Sequence, residues 1–247
     1  MKLRICHLYP RELNIYADRG NIAVFRRRSA WRGIDCEVSE AGLGDSIDPD
    51  AHDLFYLGGG QDRDQALVAP DLVATKGDAL HRAAGSGAVV LAVCGGYQLA
   101  GHCYTASDGS TLAGIGLLDV DTVAGADRLI GDLALEVELD GESRRVVGYE
   151  NHAGRTRLGP GARPLGRVIA GAGNDGESGF EGARRDRVVG TYLHGPLLPK
   201  NPWLADRLIS WALRRRTGRD PELEPLLDDL EAKARQVAVG RAGRRSG

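Results

Sequence analysis

The unbroken apolar run Ala88-Val89-Val90-Leu91-Ala92-Val93, ending at Cys94-Gly95-Gly96, constrains this chain more than any other feature. Such a run suits a central strand of a parallel sheet, which is covered on both faces. The two glycines let the backbone turn sharply from strand into helix. A thiol at a strand-to-helix turn is the sulfur form of a nucleophile elbow. The start of the helix favours thiolate over thiol. The structural alternative is a buried cysteine closing a strand.

The flanking segments supply the rest of an alternating β/α pattern. Strands are predicted at Leu3–Leu8, Ile34–Val38 and Asp53–Leu57, and helices at Asp18–Trp31, Gln61–Ala84 and Gly95–His102. A break is expected before Pro70, because the residue preceding a proline avoids the helical region. The succession predicts an α/β fold, a mostly parallel sheet with helices on both faces. Asp132–Leu139, Arg144–Tyr149 and Pro164–Ile169 read as strands joined by glycine-rich turns, an antiparallel excursion on that core. A further strand, Arg187–Leu193, and an amphipathic helix, Asn201–Arg215, follow. At 247 residues the chain is one domain or one domain with a tail. The expected division is a domain at 1–218 and a tail at 219–247. Within the tail Pro221–Val237 reads as a charged helix and 238–247 as disordered.

Composition excludes several classes. Lys and Arg number 32 against 34 Asp and Glu, a net charge of −2, which speaks against a nucleic-acid partner. No stretch approaches the roughly 18 apolar residues of a membrane span. The N-terminus lacks a cleavable leader pattern, so a cytoplasmic protein is expected. Cys6, Cys36, Cys94 and Cys103 show neither Cys-x2-Cys spacing nor a neighbouring His cluster. Neither a metal site nor a disulfide framework is expected.

Two more segments belong with Cys94. Gly190-Thr191-Tyr192-Leu193-His194-Gly195-Pro196 puts a histidine just past a late strand. A thiol nucleophile needs such a base to accept its proton and pass it to the leaving group. Leu57-Gly58-Gly59-Gly60-Gln61 is a glycine turn at another strand end. The N–H groups of Gly60 and Gly95 are the candidate oxyanion donors. Together these form a thiol acyl-transfer site. A cysteine redox sensor or chaperone of the DJ-1 kind on a similar sheet remains an alternative at this point.

Val93-Cys94-Gly95-Gly96-Tyr97-Gln98-Leu99 with Gly190–Gly195 resembles the class I glutamine amidotransferases, which have a flavodoxin-like core. Gly148-Tyr149-Glu150-Asn151-His152-Ala153-Gly154-Arg155-Thr156 is similar to their cobyric acid synthase-like branch. Leu8–Asn21 narrows the likeness to the GatD-type glutaminase subunits of lipid II isoglutaminyl synthases. The resemblance spans roughly residues 3–215. It implies that Cys94 attacks the side-chain amide of L-glutamine, with His194 as base and acid. It also implies that Arg128 and Gln98 bind the substrate, and that ammonia passes to a Mur ligase-like synthetase (MurT type) as a heterodimer. That partner would bind ATP and Mg, reach lipid II and amidate the α-carboxylate of its D-glutamate. A synthetase for corrin amidation is the alternative acceptor system. His152 is read as a structural residue in a turn, outside the site.

One departure stands out. The class places a Glu two residues after the histidine, where this chain has Pro196. The orienting carboxylate is then expected elsewhere in the chain, with Glu150 the first candidate, or from the partner, which the resemblance implies contributes an Asp. No Lys is followed by Ser or Thr, so no Walker A loop is present. With no ATP-binding segment ahead of the first strand, a separate synthetase is expected.

Overall fold

A computed structural model describes residues 1–15, 18–195 and 197–245. β1 (Lys2–Leu8) leads to α1 (Arg19–Ala30) and β2 (Asp35–Ala41). β3 (Leu54–Leu57) is followed by α2 (Asp62–Asp71), a π-helical turn at Leu72–Lys76 and α3 (Gly77–Gly85). β4 (Val89–Val93) runs directly into α4 (Gly95–Ala100). Next come β5 (Cys103–Thr105), β6 (Thr111–Ala113), β7 (Val120–Leu139), β8 (Glu142–Leu158), β9 (Gly166–Ala170) and β10 (Phe180–Glu181). The chain ends with β11 (Ala183–Arg185), β12 (Val188–Thr191), α5 (Leu197–Lys200), α6 (Pro202–Thr217) and α7 (Asp229–Arg245).

The first sheet has the order β11-β12-β4-β3-β1-β2. All neighbours are parallel except β11, which pairs antiparallel with β12. β4 lies at its centre, with every residue from Val89 to Val93 fully buried. Burial of successive residues means that both faces are covered, as the apolar run requires. The carboxyl ends of β3, β4 and β12 are in register: Leu57 pairs with Ala92, and Thr191 with Val93. The segments after these strands therefore meet at one end of the sheet, as at the binding crevice of open α/β folds.

The second sheet, β10-β9-β7-β5-β6 with β8 paired to β7, is the antiparallel excursion. It is larger than the sequence pattern predicts. The expected strands at 132–139 and 144–149 are the inner halves of one long hairpin. Its turn is Asp140-Gly141, both at positive φ, the residue pair that two-residue hairpin turns favour. The outer half was hidden because its register with β8 breaks between Ala124 and Leu129, which interrupts the period-two pattern. The helix predicted from Gln61 to Ala84 is also divided. Its break follows Pro70 rather than preceding it, in the π-helical turn that carries the fully buried Lys76. Lys76 there meets Asp71 at 2.7 Å and lies over the Tyr9 ring.

The tail helix is shifted along the chain: 221–228, expected to be helical, are irregular. Residues 238–245, read as disordered, complete α7. Ala238, Val239 and Ala242 pack against Ala134, Val147 and Ala170 of the second sheet, which supplies the partner surface an isolated helix lacks.

Candidate active site

Cys94 has φ 50° and ψ −106°, a backbone conformation that a non-glycine residue adopts only under constraint. The constraint is visible. The Cys94 N–H donates to Thr191 O at 2.8 Å, and the Gly96 N–H to Gly58 O at 3.1 Å. A side chain at Gly95 would lie 2.9 Å from the Gly60 nitrogen, and one at Gly96 2.8 Å from the Gly58 oxygen. Both glycine clusters therefore have one explanation: the elbow after β4 presses onto the turn after β3, with backbone against backbone.

His194 enters from the end of β12. Its main chain exchanges two hydrogen bonds with Tyr149 of β8, of 2.9 and 3.1 Å, so the second sheet holds the histidine in place. Its ring faces the Cys94 side chain and meets Asp18. Nδ1 lies 3.4 Å from Asp18 Oδ1, and both side chains are fully buried. Burial alone would lower the histidine pKa. The Cys94 charge and acceptance of the ring N–H by Asp18 outweigh that, and push it up to about 10.

Asp18 is the carboxylate that the sequence reasoning did not find. It directly precedes α1, the usual place for a helix cap, yet its side chain makes no capping hydrogen bond. Its Oδ2 instead accepts the Gly59 N–H at 2.7 Å. Gly59 must be bare, because a methyl group there would come 2.7 Å from His194 Cε1. Glu150, the first in-chain candidate, is engaged elsewhere: it accepts the N–H groups of Ala172 and Gly173. Pro196 lies outside the described residues. The signal that could have found Asp18 is its position after β1, at the same sheet end as Cys94 and His194.

A cavity of 610 Å³ opens over Cys94 and is lined by Gly60, Gln65, Gln98, Tyr104, Arg128, Asn151 and His152, among others. Gln98 is buried and donates to the Tyr192 hydroxyl at 3.2 Å. Arg128 comes from the register break in β7. Its guanidinium donates to Asn151 Oδ1 and Asn151 O, both at 2.9 Å, which fixes it at the cavity wall. Gly60 lines the cavity, while Gly95 stands behind it against the Gly60 backbone. His152 differs from the reading above: it sits on β8 rather than in a turn, and it lines the cavity. Among the described residues no group of three or more His, Cys, Asp or Glu is placed to hold a metal ion.

Residues 4–202 match the CobB/CobQ-like glutamine amidotransferase domain. The chain belongs to that family. Among curated relatives, the chain is 40% identical over 243 residues to the lipid II isoglutaminyl synthase (glutamine-hydrolyzing) subunit GatD of Staphylococcus aureus strain N315. That alignment covers 98% of this chain and 97% of the relative. The corresponding subunit of Streptococcus pneumoniae strain R6 is 37% identical over 230 residues, 93% of this chain and 87% of the relative. A cobyric acid synthase from Pelotomaculum thermopropionicum is 39% identical over 153 residues, but the match covers only 28% of that protein. In fold the amidotransferase is similar to a chain of PurLQS from Thermotoga maritima, with a TM-score of 0.56 at 17% identity, covering 88% of this chain and 99% of that one.

Proposed function

We propose that this amidotransferase is the glutamine-hydrolysing subunit of a lipid II isoglutaminyl synthase. The observation that carries the reading is Cys94 at a constrained elbow, facing a histidine backed by Asp18, under a cavity with Arg128 on its wall. Full-length likeness to two proteins named as that subunit supports the choice of acceptor.

The geometry suits a thioester route. Arg128 binds the α-carboxylate of L-glutamine with its planar guanidinium. Cys94 Sγ attacks the side-chain amide carbon. The resulting oxyanion is held by the N–H groups of Gly60 and Gly95, with Gln98 bordering the substrate. The His194 imidazolium donates its proton to the departing nitrogen, and ammonia leaves. His194 then takes a proton from water, which attacks the thioester and releases L-glutamate. Asp18 keeps the imidazole oriented and stabilises its protonated form.

Ammonia passes to a Mur ligase-like synthetase subunit in a heterodimer. That subunit binds ATP and Mg and activates the D-glutamate α-carboxylate of lipid II, and amidation yields D-isoglutamine in the peptidoglycan precursor. We place the reaction in the cytoplasm. Among the described residues no helix is long and apolar enough to cross a membrane.

The test is reconstitution. The chain and its synthetase subunit, given glutamine, ATP, Mg and lipid II, should form the amidated precursor and glutamate in equal amounts. Failure to amidate lipid II while amidating a corrin acid would move the enzyme to the other branch of its family.

A further inference from the structure

His152 is the buried titratable group on the cavity wall that the thioester route leaves without a task. Its ring stacks flat on Tyr192, with centroids 3.5 Å apart and planes 4° from parallel. Nδ1 meets the Gly154 carbonyl at 2.8 Å. A carbonyl accepts only, so Nδ1 carries a proton, and in that tautomer Nε2 presents a lone pair. Nε2 is buried and has no hydrogen-bond partner among the described residues. An acceptor fixed at both ends and left unpaired is costly unless something fills it. The Glu150 carboxylate stands 3.9 Å from Nε2, too far to bond it directly but close enough to favour a cation there.

His152, Asn151 and Arg128 line the same cavity over Cys94. Arg128 is tied to Asn151, the residue directly before His152. If Arg128 takes the α-carboxylate, the α-ammonium, borne on the same carbon, falls beside it. We propose that His152 Nε2 accepts a hydrogen bond from the α-ammonium of glutamine, making His152 a specificity-determining residue for an α-amino acid substrate. The proposal rests on the glutaminase reading. Asp62, an exposed carboxylate on the same cavity and bonded by Tyr104, is the competing acceptor.

The experiment compares L-glutamine with glutaramate, the same molecule without the α-ammonium, using the chain with its synthetase subunit. Wild type should prefer glutamine. His152→Leu should raise the KM for glutamine about tenfold, the scale of a hydrogen bond to a charged group. It should leave glutaramate hydrolysis and the alkylation of Cys94 by iodoacetamide unchanged, so the preference collapses. His152→Gln, which keeps an acceptor oxygen, should restore part of it. Equal losses on both substrates, or a preference that survives in His152→Leu and vanishes in Asp62→Asn, overturns the proposal while leaving the glutaminase reading intact. Wild type that hydrolyses neither substrate sinks both.

Discussion

The two sheets contribute to the site in opposite ways. The parallel sheet delivers Cys94 and His194 from the ends of neighbouring strands, and its loop after β1 delivers Asp18. All three are buried: the Cys94 backbone is tied to Thr191 of β12, the His194 backbone to Tyr149 of β8, and the Asp18 carboxylate accepts the Gly59 N–H of the turn after β3. The antiparallel sheet delivers Arg128, Asn151 and His152 from a strand pair whose register breaks at that point. Arg128 is exposed there. The difference reflects what each group has to do. Groups that exchange a proton must be held to a fraction of an ångström, and close packing supplies that. Groups that capture a substrate must remain reachable, and a bulged strand projects a side chain without opening the core.

This comparison predicts unequal mutational costs. Cys94→Ala should lower glutamine hydrolysis roughly 10⁴-fold or more, since no other group can form the thioester. The melting temperature should hardly change, because the side chain is small. A variant retaining a tenth of wild-type activity would remove Cys94 from the reaction. A glutamine-mimicking electrophile should label Cys94 and spare Cys6, Cys36 and Cys103.

Asp18→Asn comes next. Its 3.4 Å approach to His194 is long for a charge-assisted bond, so a loss of about 10³-fold is expected, short of the roughly 10⁴-fold of a tightly formed triad. The variant also changes the pH profile. The histidine pKa is raised to about 10, in part by Asp18. Removing that charge lowers it, so the alkaline limb of kcat should move to lower pH. Stability follows the same sign. A histidine raised above 6.5 stabilises the fold fully below 6.5, and that contribution is lost as pH rises through 10. The variant should therefore be less stable than wild type near neutrality and converge with it in strong alkali. An isolated Asp18→Asn chain that hydrolyses glutamine as fast as wild type, at every pH, would return the orienting role to the partner subunit.

What was legible in the sequence divides along the same line. Val89–Val93, Cys94 and His194 are readable because burial on both faces and a strand-to-helix turn leave local marks: an apolar run, then glycines. Asp18 is not, because the contact that matters lies 176 residues away, and locally it looks like a helix cap. The Glu150 expectation failed because the motif Tyr149-Glu150-Asn151-His152 shows which residues are adjacent, not what each side chain bonds. Glu150 lies on the His152 side of β8, but its carboxylate is taken up by the N–H groups of Ala172 and Gly173, which no local pattern foretells. The outer hairpin was missed because Gly125–Asp127 breaks the alternation at the place where Arg128 is needed.

Arg128→Ala tests the antiparallel side. It should raise the KM for glutamine between about 10- and 100-fold, the cost of a lost charge-assisted pair, and leave the iodoacetamide reactivity of Cys94 as it is. Equal falls in kcat and Cys94 reactivity would mean that the second sheet also tunes the nucleophile, and the division of labour would fail. An unchanged KM would make Arg128 a surface residue tied to Asn151 alone.

The smallest effect should come from the tail, which touches both regions. Arg28 of α1 is buried between Asp206 of α6 and Asp228, which directly precedes α7. α1 begins directly after Asp18, while α7 lies on the second sheet. Asp228→Asn removes one carboxylate from the clamp but leaves Asp206 bidentate on the guanidinium, so Arg28 is not left as an unpaired buried charge. Asp228 is also partly exposed, and water screens the interaction. A loss of only about 0.5–1 kcal/mol is therefore expected, read as a lower urea midpoint with an unchanged slope. Glutamine kinetics should not change, since the clamp lies at the far end of α1 from Asp18. A midpoint identical to wild type would mean that the tail folds as a separate unit. A fall in kcat with no change in midpoint would mean that the tail holds α1, and through it Asp18, in register with His194.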